Sequence, residues 1–454
     1  MNAFYISLYV LVQIALGIYI SKFIKDENDF FLGGRNIPTF AIAFSIFATW
    51  FGAETCIGSS GAVFTGGLSS SKAEPFGYGL CLLLTALYIA PKIWNEKYTT
   101  MGDFIKDKHG ELAEKIFIWI VIPSSLIWAA AQIRAFGQIL TVTTEINIFW
   151  GITISTGFVI VYTLLGGFLG DVVTDVLQGG ILALSLLIIA FFALNSNDMS
   201  IWAIDSNQLT LVRPEESWLE RIDSWLIPIL GSLVAQELIA RILSAKNQKQ
   251  AVTASLGGTG LYLFFGSIPI LLGLLAQQLP LEITDAEQFL PTLAHMLLPQ
   301  WMYILFTGAL ISAILSTIDS ILLAISALIS HNFLVPLLQI KNNKRKIQMA
   351  RLVLVCSGIL AYIMALYGES VYEMVEMASS FGSTGILVVV VAGLVCTHSF
   401  PWLSIATMIG GVILSVILDM YLAIPTAFTV NLGILTVLYV SVYIWNKHHI
   451  QAKS

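Results

Sequence analysis

The sequence predicts an all-α membrane protein with about thirteen transmembrane helices, and three observations support this fold class. The composition is 57% hydrophobic and 11% charged, with a mean hydropathy of +0.84. Apolar runs long enough to cross a hydrocarbon core of roughly 30 Å recur along the chain. When the loops between these runs alternate between the two sides, 18 of the 22 Lys and Arg, counting Arg241, fall on one side and three on the other. Arg134 is the only basic residue deep within a run.

This asymmetry predicts that the basic side is cytoplasmic, with the N-terminus outside and the C-terminus in the cytoplasm. We expect the first span to be retained, because no basic segment or small-residue cleavage site marks it as a signal peptide. The chain is therefore expected in a plasma membrane, specifically a bacterial inner membrane, with the lipid bilayer as its surroundings and with no nucleic-acid or obligate protein partner. The predicted spans are residues 3–22, 38–64, 73–91, 113–141, 147–165, 169–194, 223–243, 251–277, 300–332, 347–367, 371–396, 401–420 and 424–445.

Two of these spans are poor continuous helices. The second has Gly52 and Glu54 in its middle and then Gly58 and Gly61. The seventh contains Pro228 and Gly231 followed by polar residues. If the core consists of two five-helix halves, these spans open each half, which is where inverted-repeat transporters place discontinuous helices. Unwound backbone frees carbonyl groups for a cation and is tolerated only where it lines a cavity. The predicted units are residues 1–37 (first helix and loop), 38–194 (first repeat), 195–221 (extracellular loop), 222–396 (second repeat) and 397–454 (two C-terminal helices and a tail).

A stripe of hydroxyl groups follows one face of the span at residues 300–332. Ala313, Ser316, Thr317 and Ser320 are spaced three and four apart, and Asp319 lies beside them. An ionisable side chain in hydrocarbon normally points into a protein or water-filled interior and marks an ion or substrate path. Oxygen ligands suit a hard cation, so the stripe predicts a sodium site. The alternative is that the hydroxyls only bond to their own helix or join helices together.

Six segments together resemble the sodium/solute symporter family, which includes sodium-coupled proline, pantothenate, sialic acid and glucose transporters. The resemblance implies a five-plus-five inverted-repeat core formed by spans two to eleven, working by alternating access. The six segments are DFFLGGRNIP (29–38), FSIFATWFGAETCIGSSG (44–61), YTTMGDFIKDKHG (98–110), GGFLGDVVTDVLQG (166–179), AQELIARILSAKN (235–247) and ISAILSTIDSILL (311–323).

The resemblance also implies sodium ligands. The main site would use the backbone carbonyls of Ala48, Phe51 and Ala313 and the hydroxyls of Ser316 and Thr317. Some relatives hold a second sodium ion, and the matching residues are Asp175, Ser316, Asp319 and Ser320. Asp171, four residues before Asp175, is expected to be a solvated or capping residue.

The solute site is predicted around the broken second span. Arg134 is expected either to clamp a substrate carboxylate or to form a salt bridge with Glu54, Glu74 or Glu237, and the sequence favours neither. Glu74 matches a sugar-contacting position of relatives, whereas Thr55 replaces a sugar-contacting glutamine and argues against a sugar. The candidate solute-binding residues are Thr49, Trp50, Glu54, Thr55, Glu74, Tyr78, Gln132, Arg134, Gln236, Glu237, Phe381, Ser383 and Thr384.

We therefore predict a sodium-coupled symporter that imports a small polar organic solute, with a carboxylate or an amino acid preferred and the sodium ion as cofactor. An enzyme is not predicted, because the six histidines are scattered and no nucleotide-binding loop or nucleophile triad is present in the sequence. Two alternatives remain. One is a solute sensor with the transporter fold but without useful flux, and the other is a symporter coupled to protons through Asp319 or Glu54.

Overall fold

The computed structural model describes residues 15, 18–95, 97–144, 146–213, 215–281, 283, 286–368, 370–396 and 398–451. The first predicted span, residues 3–22, lies largely outside these residues. The described part of the chain folds into helices joined by loops, and it contains no β-strand. The helices are α1 (Glu27–Leu32), α2 (Thr39–Trp50), α3 (Ser59–Gly66), α4 (Tyr78–Leu84), α5 (Ala90–Ile93), α6 (Met101–His109), α7 (Glu111–Thr144), α8 (Ile148–Leu194), α9 (Trp218–Leu230), α10 (Gln236–Leu243), α11 (Gln248–Ala276), α12 (Phe289–Leu297), α13 (Gln300–Ile329), α14 (Val335–Leu337), α15 (Asn343–Tyr367), α16 (Val371–Ser380), α17 (Ser383–Val395), α18 (Pro401–Val416) and α19 (Ala427–Gln451).

Eight helical stretches in the described residues are long and apolar enough to cross a membrane, and two bent pairs raise that number to as many as ten. Of the predicted spans that lie within the described residues, those that do not reach this length are interrupted or short, like the apolar stretch Ile148–Val161. The all-helical membrane fold is therefore confirmed, whereas the number thirteen and the inverted repeat remain predictions. The eight stretches are Ala73–Ile93, Glu111–Thr141, Gly166–Leu194, Gln248–Ala276, Gln300–Leu337, Asn343–Tyr367, Pro401–Asp419 and Ala427–Lys447.

Side-chain caps define where several helices begin. The hydroxyl of Thr100 accepts a hydrogen bond from the Asp103 N–H at 3.3 Å, and the Asp103 carboxylate accepts one from the Thr100 N–H at 3.0 Å. Ser217 and Glu220 form the same reciprocal capping box at the start of α9. These contacts satisfy backbone N–H groups that have no partner within the first turn, so the polar loops fix the ends of the apolar helices.

A glycine divides the 47-residue helix α8. Gly167 has φ +54, and a β-carbon there would lie 3.0–3.1 Å from Ile24 and Phe30. Glycine adopts this left-handed conformation without steric cost, so the chain can turn at this point. The two predicted spans 147–165 and 169–194 meet at this break.

Both spans expected to be discontinuous are interrupted. Helix α2 ends at Trp50, Phe51 has φ −91 and ψ 64, and helical structure resumes at Glu54 in a π-helical turn that leads into α3. Helix α9 ends at Leu230, and α10 begins at Gln236. Helix α13 packs against α2, α7 and α8, and all of its residues from 309 to 328 are buried within the protein. The hydroxyl stripe on α13 therefore faces protein and not lipid.

Candidate functional site

The end of helix α2 and the hydroxyl stripe of α13 are in direct contact. The Thr317 hydroxyl donates to the Thr49 carbonyl at 2.9 Å and lies 3.2 Å from the Ala313 carbonyl oxygen of its own helix. Ala48 and Phe51, on either side of this contact, are 1% and 0% exposed. This contact joins the two segments that carry the predicted main sodium ligands at a buried place, although Thr49, whose carbonyl makes the contact, is not one of those ligands.

The adjoining stripe residues contact acids of helix α8. The Ser316 hydroxyl donates to Asp175 Oδ1, and the Ser45 hydroxyl donates to Asp175 Oδ2. Ser320 Oγ lies 3.1 Å from both carboxylate oxygens of Asp171. These contacts join α2, α8 and α13 into one buried polar cluster.

Arg241 lies at the centre of this cluster, and three expectations from the sequence are wrong here. Its Nη2 is 2.8 Å from Asp171 Oδ2 and 3.1 Å from Asp175 Oδ2, and its side chain is 1% exposed. Arg241 is therefore not a cytoplasmic loop residue, and Arg134 is not the only basic residue within a helical core. Asp171 is not solvated either, since its side chain is also 1% exposed. A buried charge requires a partner, and folding brings these charges together.

Asp319 occupies a different position from the other predicted ligands of a second sodium ion. Its Oδ1 accepts a hydrogen bond from the Thr163 hydroxyl at 2.5 Å, on the half of α8 that precedes Gly167. Asp175, Ser316 and Ser320 belong to the cluster around Arg241, whereas the Asp319 carboxylate points toward another segment. A helix turns about 100° per residue, so neighbours such as Asp319 and Ser320 face different directions.

A cavity lies beside this cluster, bounded by the two broken helices. Its volume, counted as the space open to the centre of a water molecule, is about 60 Å³. Eight of the thirteen candidate solute-binding residues line it, namely Trp50, Glu54, Glu74, Tyr78, Gln236, Glu237, Phe381 and Ser383.

Three aromatic rings form one wall of the cavity. The Trp50 ring lies 5.7 Å from the Tyr78 ring and 6.0 Å from the Trp128 ring, at interplanar angles of 65° and 67°. These are edge-to-face arrangements, which place rings at steep angles to one another. The Tyr78 hydroxyl is fixed by the Ser379 hydroxyl at 2.7 Å.

Two of the three acids that line the cavity, Glu54 and Glu74, accept hydrogen bonds from neutral donors. Glu54 accepts hydrogen bonds from the Gln132 side-chain amide at 2.5 Å and from the Trp128 indole N–H at 3.2 Å. Glu74 accepts one from Thr55 at 3.0 Å and another from the Tyr262 hydroxyl. Among the described residues that line the cavity, none is Lys, Arg or His. The electrostatic potential of this cavity therefore favours positive charge whenever these carboxyls are ionised.

The other five candidate solute residues do not line the cavity. Thr49 contacts Ser320, and Thr55 and Gln132 orient the acids Glu74 and Glu54. Thr384 is fully buried in α17. Arg134 donates to the Ala365 carbonyl at 3.3 Å, and none of the ion pairs in the described part of the chain includes it. Neither sequence-based interpretation of Arg134 matches this contact.

Sequence reasoning missed Arg241, Ser45 and Trp128. Trp128 precedes the predicted Gln132 by one helical turn, so helical spacing could have placed both on one face. Arg241 lies in a short segment that also carries cytoplasmic-type basic residues, and no local pattern distinguishes it from them. Its pairing with acids 66 and 70 residues away is visible only in three dimensions.

The chain is similar to known choline and proline transporters. It is 28% identical to the high-affinity choline transporter 1 of Drosophila melanogaster over 391 residues, which is 82% of this chain and 63% of that relative. It is 24% identical to the high-affinity proline transporter PutP of Bacillus subtilis (strain 168), with 88% of each chain covered. The chain thus spans less than two thirds of the length of the choline transporter and most of the length of PutP.

Solved structures support the fold. A substrate-bound, outward-open Na⁺-coupled sialic acid symporter superimposes with a TM-score of 0.83 at 17% identity, covering 96% of each chain. Mhp1, a nucleobase-cation-symport-1 family transporter, superimposes with a TM-score of 0.59 at 13% identity, covering 91% of this chain and 93% of Mhp1.

The model of the sodium:solute symporter family matches residues 30–411 of this chain. This match confirms the family resemblance seen in the sequence motifs. It also confirms the prediction that the chain is not an enzyme, because the family and these relatives are transporters. The chain is an integral membrane protein that belongs to the sodium:solute symporter family.

Proposed function

We propose that this chain is a sodium-coupled symporter that imports a small organic cation, such as an alkylammonium compound, by alternating access. The observation that carries the solute class is the cavity wall of Trp50, Tyr78 and Trp128 beside the buried acids Glu54 and Glu74. Aromatic faces attract ammonium groups through their negative quadrupole, and a desolvated cation gains roughly 2 kcal/mol or more from such contacts.

This solute class differs from the carboxylate expected from the sequence. That expectation depended on Arg134 as a clamp, and Arg134 contacts the Ala365 carbonyl outside the cavity lining. A solute carboxylate placed near Glu54 and Glu74 would face like charges, which is unfavourable at low dielectric. The name of the choline transporter relatives agrees with a cationic solute.

The sodium ion is proposed to bind where the unwound end of α2 meets α13. The ligands would be the carbonyls of Ala48, Phe51 and Ala313 and the hydroxyls of Ser316 and Thr317. The 2.9 Å contact between the Thr317 hydroxyl and the Thr49 carbonyl supports this location, because the two elements are close enough to share one ion. An ion that bridges them would favour one arrangement of the bundle and preorganise the adjacent cavity, so sodium and solute binding would be coupled.

The proposed membrane is a bacterial inner membrane, which the bacterial proline transporter relatives support. The proposed orientation, with the N-terminus outside and the C-terminus in the cytoplasm, is supported by the distribution of basic residues.

The test is uptake of radiolabelled choline into proteoliposomes that contain the purified chain. We expect an inward sodium gradient to drive uptake and an equal potassium gradient to drive none. Replacing Trp50, which is 3% exposed, by leucine should remove uptake, whereas the control W301L should not, since Trp301 is 60% exposed on the outside of the bundle. Failure of sodium to stimulate choline uptake would reject the proposal.

An amino acid is the second candidate solute, because PutP is aligned over 88% of both chains. Proline competes in the same assay, and sodium-driven proline uptake without choline uptake would favour this candidate. Sodium-dependent choline binding without counterflow would indicate a sensor. Uptake driven by a pH gradient without sodium would indicate proton coupling.

A further inference from the structure

Two polar side chains of α10 line the cavity apart from its aromatic wall. Gln236 and Glu237 are the first two residues of this helix, and they are 1% and 2% exposed. The rings of the wall and the acids Glu54 and Glu74 belong to other segments of the chain. A solute that fills the cavity therefore contacts α10 as well as the aromatic wall.

The side-chain amide of Gln236 has an unused donor. Its Oε1 accepts a hydrogen bond from the Met101 backbone N–H at 2.7 Å. A backbone N–H can only donate, so this contact fixes the amide oxygen toward Met101 and the amide nitrogen away from it. Gln236 Nε2 is buried and has no hydrogen-bond acceptor in the described part of the chain. A buried donor without a partner is unfavourable, so an acceptor on a bound solute would complete this side chain.

Glu237 offers an acceptor beside this donor. Arg241 Nη1 donates to the backbone carbonyl of Glu237 at 3.0 Å and not to its carboxylate, and no ion pair among the described residues includes Glu237. Glu54 and Glu74 differ, because neutral side chains already donate to them. The carboxylate oxygens of Glu237 are therefore available to a donor on the solute.

A hydroxyl group matches both side chains at once. It can accept from Gln236 Nε2 and donate to the Glu237 carboxylate, whereas an ammonium group can only donate and a carboxylate can only accept. A carboxylate would also face the like charge of Glu237 at low dielectric, which is unfavourable. An alkyl group would leave both side chains without a partner, and buried polar groups of a binding site discriminate against such a ligand.

We propose that Gln236 and Glu237 bind a hydroxyl group of the solute, so that the transported cation is an amino alcohol. This inference rests on the organic-cation transport proposed above. The ammonium end of the solute lies against Trp50, Tyr78 and Trp128, and its hydroxyl end lies at the start of α10. Such a solute connects the two interrupted spans, because Trp50 ends α2 and Gln236 follows the break between α9 and α10.

The test compares four ligands that share a trimethylammonium head, by titration calorimetry of the purified full-length chain in sodium buffer. Choline carries a hydroxyl group at its other end, propyltrimethylammonium a methyl group, glycine betaine a carboxylate and 3-aminopropyltrimethylammonium a primary ammonium group. We expect choline to bind about 30-fold more tightly than propyltrimethylammonium, because the methyl compound lacks both hydrogen bonds.

The other outcomes separate this inference from the proposed function. Equal affinities of choline and propyltrimethylammonium would mean that water bonds to Gln236 and Glu237, and tighter binding of betaine or of the amino compound would mean that another group does. Each of these results would overturn the hydroxyl assignment and leave organic-cation transport standing. Failure of all four ligands to bind would overturn both proposals.

Variants assign the hydroxyl contact to the two side chains. Q236M removes the donor and E237M removes the acceptor, with little change in side-chain length. The ratio of the propyltrimethylammonium Kd to the choline Kd should fall from about 30 to about 5 in each variant and to about 1 in the double variant, because each hydrogen bond contributes separately. General damage to the fold would weaken both ligands alike and leave this ratio unchanged.

The matched control is Q178M. Gln178 is also a buried glutamine whose amide has no hydrogen-bond partner in the described part of the chain, but it is not among the described residues that line the cavity. Its ratio should equal that of the wild type. A wild-type ratio in Q236M and in E237M would overturn the roles of these residues. If these variants do not fold, the wild-type comparison of choline with propyltrimethylammonium still decides.

Discussion

Two pairs of buried acids lie in the same helical bundle, and they differ in the groups that contact their carboxylates. Asp171 and Asp175 share the guanidinium of Arg241, which is held within 3.1 Å of each. Glu54 and Glu74 accept hydrogen bonds from neutral amide, indole and hydroxyl groups, and they line a cavity.

The first pair of acids has its cation within the protein, whereas the second pair can take its cation from a bound solute. A fixed arginine completes the first pair without any ligand, so removing it should damage the folded protein. The second pair is completed by neutral groups and faces open space, so it can receive a cation from outside. Substitutions in the two pairs should therefore affect different properties, and this contrast can be measured.

The largest effect is expected from R241Q. Removing one partner of a buried ion pair leaves the other charges uncompensated, which costs about 3–5 kcal/mol in the free energy of unfolding. Thermal unfolding in sodium-free detergent buffer should therefore shift to markedly lower temperature. R241Q/D171N should recover part of the loss, since it removes one of the two acids, and R345Q should unfold like the wild type. An R241Q variant as stable as the wild type would contradict the structural role of Arg241 in the first pair of acids.

E54Q should affect solute binding and leave stability intact. Losing the carboxylate charge beside a desolvated cation should weaken choline binding by roughly 100-fold, from about 3 kcal/mol of lost interaction. Competition binding with labelled choline gives the affinity, and E215Q on the exposed loop is the control. A choline affinity unchanged in E54Q, or a loss of stability comparable with that of R241Q, would contradict the proposed roles.

T317A should weaken sodium dependence by about tenfold, or about 1.4 kcal/mol, because one oxygen ligand is lost. The matched control is T307A on the same helix, where the buried Thr307 hydroxyl bonds to the Tyr303 carbonyl one turn earlier. The sodium concentration for half-maximal uptake is the measurement. Equal sodium dependence of uptake in T317A and T307A would contradict the proposal that the sodium ion binds at the end of α2.

The smallest effect is expected from W128F, which keeps an aromatic ring and removes the indole N–H that donates to Glu54 at 3.2 Å. A single hydrogen bond contributes about 1 kcal/mol, so choline affinity should fall about fivefold. W128L removes the aromatic face as well and should lose more. If choline affinity falls by the same factor in W128F and in W128L, the aromatic ring at position 128 contributes nothing to cation binding.

The sequence determined the properties that depend on local pattern. Hydropathy and run length predicted the helical membrane fold. Gly52 and Glu54, with Gly58 and Gly61 after them, predicted the interruption after α2. The three- and four-residue spacing of Ser316, Thr317 and Ser320 predicted a shared face, which is buried in the protein. Such features can be predicted because backbone geometry and burial follow from neighbours within a few turns.

Only the tertiary structure decided which charges meet. Arg241 was expected on the cytoplasmic side and Asp171 was expected to be a solvated or capping residue, yet they form a buried ion pair across 70 residues of sequence. Arg134 was expected either to clamp a substrate carboxylate or to form a salt bridge with a buried glutamate, and it contacts the Ala365 carbonyl. The physical reason is that electrostatic partners are set by distances through space, and helix packing fixes those distances after local structure has formed.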